Sequence, residues 1–90
     1  MEIQIERKVN KYLEKQVKGD KLGVLRIKDY IENFLITAKD PTQLPQCKKL
    51  QGYENLYRWR VGNYRIKGEI REKELIILII EISTRENAYK

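Results

Sequence analysis

Between Tyr57 and Lys67 the chain reads Tyr-Arg-Trp-Arg-Val-Gly-Asn-Tyr-Arg-Ile-Lys, and this alternation allows little besides two strands joined by a tight turn. A two-residue Gly62-Asn63 loop sets the register. It places Val61 opposite Tyr64, Arg60 opposite Arg65, Trp59 opposite Ile66 and Arg58 opposite Lys67. One face of the hairpin is then aromatic and aliphatic, and the other carries four cations. Like charges across a ladder oppose pairing, by a few tenths to about 1 kcal/mol each. No acidic residue lies within the stretch; the first after it is Glu69. A surface chosen for folding alone usually mixes its signs, so the pattern points to a polyanionic partner. A solvated basic face with its arginines splayed into water is the other reading of the same residues.

With 90 residues the chain is expected to be one domain, residues 1–90, with a modest core. It is 41% hydrophobic and 36% charged, apolar enough to fold. The longest unbroken apolar run, Leu75 to Ile80, cannot span a bilayer. The N-terminus, Met-Glu-Ile-Gln-Ile-Glu, lacks the regions of a secretion signal, and a cytoplasmic protein without membrane association is expected. The chain has no histidine and one cysteine, Cys47. That excludes an internal disulfide and a Ser-His-Asp triad, and argues against a conventional zinc site. Cys47 reads as a small, partly buried hydrophobe, and no cofactor is expected. Any catalysis must run on Arg, Lys, Tyr or carboxylates. Of the net +6, residues 1–45 contribute nine basic against seven acidic residues and residues 46–90 ten against six. The excess lies mainly in the half with the hairpin. Nucleic acid is the commonest partner of such a patch; an acidic protein or an anionic membrane surface are alternatives.

Glu2 to Ile5 alternates as a first strand. Val9, Tyr12, Leu13 and Val17 recur at helical spacing between Glu6 and about Val17, with a lysine-rich outer face. Asp20 is a good N-cap for a second helix over about 21–39. Its buried stripe would be Val24, Ile27, Ile31, Phe34, Leu35 and Ala38, and Gly23 weakens its first turn. Asp40-Pro41 stops it. Residues 41–52 read as a connection, with Leu44 and Leu50 tucked in and Lys48 and Lys49 facing solvent. After the hairpin, Leu75 to Ile82 reads as a central strand covered on both faces, broken only by Glu81. Glu81 either pairs with one of the arginines or acts as a general base. The tail carries Arg85 and Tyr89 to the end of that strand. The order implies an α+β fold: a small β-α-α-β-β-β domain with a helical hairpin on one face of a mainly antiparallel sheet.

Lys49-Leu50, Gly52, Tyr57-Arg58, Arg60-Val61-Gly62, Tyr64-Arg65-Ile66, the apolar strand, and Arg85 followed by Tyr89 together resemble the RelE branch of the RelE/ParE toxin superfamily. The resemblance spans the chain, and its specific part is Tyr57 to Ile66. It implies a toxin of a type II toxin–antitoxin pair, an endoribonuclease that enters the ribosomal A site and cleaves messenger RNA there without metal. Attack by a ribose 2′-hydroxyl on the adjacent phosphate would leave a 2′,3′-cyclic phosphate and a free 5′-hydroxyl. By resemblance the active site is Arg58, Arg60, Arg65, Arg85 and Tyr89, with Lys48, Lys49, Lys67 and Tyr64 as further RNA contacts. The implied partners are a cognate antitoxin and the ribosome with its messenger. The chemistry suits the residues, since guanidiniums hold phosphorane oxygens bidentately and keep their protons. Arg65 and Arg85 would stabilise that charge while Arg58 and Arg60 position the backbone. Two alternatives stay open: a ParE-like DNA gyrase inhibitor of the same fold, and an inactive RNA-binding relative.

Overall fold

The computed structural model describes residues 1–85. Five strands form one sheet: β1 (Glu2–Ile5), β2 (Cys47–Lys49), β3 (Leu56–Val61), β4 (Tyr64–Arg71) and β5 (Ile76–Thr84). Their order across it is β1-β5-β4-β3-β2, with β1 parallel to β5 and every other pair antiparallel. Two helices, α1 (Arg7–Gly19) and α2 (Lys21–Tyr30), connect β1 to the rest of the chain and pack on one face. The fold class is the expected one, an α+β domain, with one strand more than anticipated.

The core lies between the helices and the sheet. Trp59, Ile66, Ile77 and Ile79 are fully buried from the sheet side, and Val24, Ile27 and Leu35 from the helical side. Burying each side chain of this size contributes about 1.5–3 kcal/mol. The Trp59 Nε1–H donates to the carbonyl of buried Pro41 at 3.0 Å, which satisfies the indole and pins the 41–43 turn to β3. Gly68, on β4 between β3 and β5, gives Trp59 room: a Cβ there would stand 3.0 Å from the indole and 3.2 Å from Ile77.

Four expectations need correction. α2 does not run on to residue 39 as a regular helix. It passes into a π-helical turn over Ile31–Leu35, where Ile36 N–H donates to the Ile31 carbonyl at 3.0 Å. The wider turn carries Leu35 into the core and leaves Phe34 46% exposed, stacked on Tyr30 at 5.2 Å. The 41–52 connection contains the edge strand β2. Leu75 belongs to the turn before β5, exposed with φ 58°, and its carbonyl accepts from Glu2 N–H. Finally, β5 is central but helices cover only one of its faces. Ile76, Leu78 and Ile80 are half-buried.

Candidate nucleic-acid interface

The hairpin has the register expected of it: Val61 pairs with Tyr64, Arg60 with Arg65, Trp59 with Ile66 and Arg58 with Lys67. Gly62 has φ 59° while Asn63 stays at negative φ, the pattern of a turn with glycine at its first central position. Since side chains alternate, the burial of Val61, Tyr64, Ile66 and Trp59 beneath the helices turns Arg58, Arg60, Arg65 and Lys67 to the open face.

Neighbouring strands extend this face into two rows. At the tip, Arg60 and Arg65 are followed across the sheet by Ser83. One step back run Lys48, Arg58, Lys67 and Glu81. Glu81 reaches this row through a bulge: Lys67 pairs with Glu81 but Gly68 with Ile79, so Ile80 is the extra residue. The bulge lets Ile79 and Ile82 both face the core while Glu81 turns outward.

Glu81 pairs with a lysine of the neighbouring strand: its Oε1 lies 3.4 Å from Lys67 Nζ. Both side chains are substantially exposed, 37% for Lys67 and 51% for Glu81, so the pair contributes at most about 1 kcal/mol. Arg71, at the far end of β4, is held by Glu69 at 2.9 Å and Glu74 at 3.9 Å. Among the described residues, Arg60 and Arg85 have no carboxylate within ion-pairing distance. Beside the rows, Pro45, Gln46, Cys47, Lys48, Arg58 and Arg60 line a groove of about 320 Å³. Burial pushes the Cys47 thiol up to about 11 despite the opposing influence of Arg58, so it stays a neutral thiol at neutral pH.

The rows therefore collect Lys48, Arg58, Arg60, Arg65 and Lys67. Arg85, exposed, joins them at the tip, its backbone N–H donating to Asn63 O at 2.8 Å. Lys49 is exposed but pairs with Tyr57, which places it on the other face from Lys48. Tyr64, expected among the RNA contacts, lies on the helix side of the sheet and not on the open face. It is 3% exposed beneath the helices, where its hydroxyl donates to Asp20 Oδ2 at 2.8 Å and accepts from Gln16 Nε2 at 2.9 Å. That hydrogen bond, with a second from Gly23 N–H, holds the Asp20 carboxyl below its ordinary range. Tyr89 lies outside the described residues. Sequence reasoning missed Ser83, whose only signal would have been the β4–β5 register, and the groove beside β2.

The model of the family described as "ParE toxin of type II toxin-antitoxin system, parDE" matches residues 3–89. The chain is 37% identical over 65 residues to "Putative toxin RelE1" of Methanocaldococcus jannaschii, covering 72% of this chain and 71% of the relative. Among solved structures it is similar to the archaeal RelE–RelB complex of Pyrococcus horikoshii, at 27% identity and TM-score 0.63 over 93% of each chain. A free E. coli toxin RelE with two arginines replaced by alanine shares the fold, at 14% identity and TM-score 0.69 over 98% of this chain and 86% of that one. A two-helix layer on a five-stranded sheet, bearing a basic hairpin face and matched by that family model along nearly its whole length, makes this chain a type II toxin–antitoxin toxin of the ParE toxin family, within the RelE/ParE superfamily.

Proposed function

We propose that the chain is an mRNA interferase that cleaves messenger RNA in the ribosomal A site, without metal, and that it acts in the cytoplasm. The single observation that carries the reading is the direct pairing of Arg60 with Arg65, next to Arg58 and Lys67, where folding alone would favour opposite charges across the ladder. A phosphodiester seated there supplies the counter-charge. In the reaction the 2′-oxygen attacks phosphorus as its proton leaves, the bond to the 5′-oxygen breaks, and that oxygen takes up a proton. The products are a 2′,3′-cyclic phosphate and a 5′-hydroxyl. Arg65 and Arg85 stabilise the non-bridging oxygens as charge builds, Arg58 and Arg60 with Lys48 and Lys67 position the backbone, and Tyr89 stacks on a base or moves a proton. The partner that holds the activity in check is an antitoxin with an acidic segment for the cationic face, in keeping with solved neighbours that are RelE–RelB complexes.

The matched family model is that of ParE, which favours a second reading, inhibition of DNA gyrase through protein contacts. Induced expression separates the two. A-site cuts in messenger ends, abolished in Arg65→Ala, support the nuclease. Intact messengers with a DNA-damage response overturn it in favour of gyrase, and unimpaired growth with intact messengers overturns both in favour of an inactive RNA-binding relative.

A further inference from the structure

The hairpin tip has a cation on its helix side as well as on its sheet side. Arg26, exposed on α2, lines a groove of about 220 Å³ together with Asp20, Leu22, Gly62 and Asn63. Its Nη1 lies 3.9 Å from where a Cβ on Gly62 would stand, so the guanidinium overhangs the bare turn. Arg60 and Arg65 flank the same turn on the open face, and Arg85 is tied to Asn63 by its backbone N–H at 2.8 Å. Four arginines from three parts of the fold thus surround two loop residues. Asp20 is near enough to attract Arg26, but its carboxylate accepts from Gly23 N–H at 3.0 Å and from Tyr64 O–H at 2.8 Å. Among the described residues, no carboxylate lies within ion-pairing distance of Arg26.

We propose that Arg26 is a further phosphate-binding residue, and that a single-stranded RNA backbone crossing the open face continues around the Gly62–Asn63 tip into this groove. The inference rests on the reading of the open face as an RNA surface. Binding of a single-stranded 2′-O-methyl RNA, which cannot undergo 2′-attack, is measured against salt for the wild type, Arg26→Gln, Arg26→Lys and Arg60→Gln. Each phosphate contact on a single strand contributes about 0.7 to the slope of log affinity on log salt. Arg26→Gln is expected to flatten the slope by about 0.7 with its melting temperature unchanged, and Arg26→Lys to restore it. An unchanged slope in Arg26→Gln beside a flattened one in Arg60→Gln overturns the inference and leaves the open-face reading standing. Unchanged slopes in both overturn the two together.

Discussion

At the scale of the residue, folding and the proposed RNA contact pull against each other at Arg60. Its partner across the ladder is Arg65, and the repulsion between them costs a few tenths to about 1 kcal/mol. Replacing Arg60 by glutamate turns that repulsion into attraction. Arg60→Glu is therefore expected to be more stable than the wild type by up to about 1 kcal/mol in urea unfolding, while its affinity for RNA falls. A variant less stable than the wild type would mean that the two arginines are not in conflict. This pairing was legible in the sequence because a two-residue turn leaves no freedom of register. The orientation of Tyr64 followed from the same alternation, since it shares a face with Trp59 and Ile66. Burial among apolar side chains, with two polar partners for its hydroxyl, is what the ladder position requires.

At the scale of the element, glycine in the first turn of α2 has a role that propensity conceals. Gly23 reads as a weakness, because glycine costs about 1 kcal/mol against alanine in a helix. In the fold, a Cβ at this position would collide with the Asp20 carboxylate and stand 2.8 Å from the Tyr64 ring. Gly23→Ala is expected to destabilise the protein by a net of about 1–3 kcal/mol in thermal or urea unfolding, against the helix scale. Elements with clear periodicity, namely β1, α1, the start of α2 and the hairpin, were readable to within a residue or two. β2 was not. Its three residues, Cys47-Lys48-Lys49, have no period to detect, and lysine is poor in strands; they become a strand because the outer edge of β3 offers unpaired backbone groups. The π-helical turn was equally hidden, since one extra residue per turn shifts the apolar stripe without changing its composition.

At the scale of the whole molecule, the tie between the layers is polar as well as apolar. Asp20 caps α2 and accepts from Tyr64 on β4, so one carboxylate joins the helical layer to the strand that bears Arg65. Its pKa is lowered on folding, chiefly by the Tyr64 hydrogen bond. A group lowered in this way stabilises the fold fully above its unfolded value of about 4 and loses that contribution as pH falls through the folded value. Tyr64→Phe is expected to cost about 1 kcal/mol at neutral pH, and its deficit in melting temperature should shrink as pH drops below about 4. A deficit independent of pH would show that the hydroxyl acts through Gln16 alone. Most of the fold class was settled by local patterning: period-two stretches can bury one face only as strands, and period-3.6 stretches only as helices on that face. The hairpin register, and with it four of the cations, followed from turn length. What tertiary structure decided was everything that depends on contacts between segments distant in sequence. Lys48 and Ser83 were drawn into the cationic rows by ladder pairing, Glu81 was turned outward to Lys67 by a bulge, and Arg26 was set beside the hairpin tip by helix packing. No local pattern encodes these placements, because each depends on where another part of the chain has come to rest.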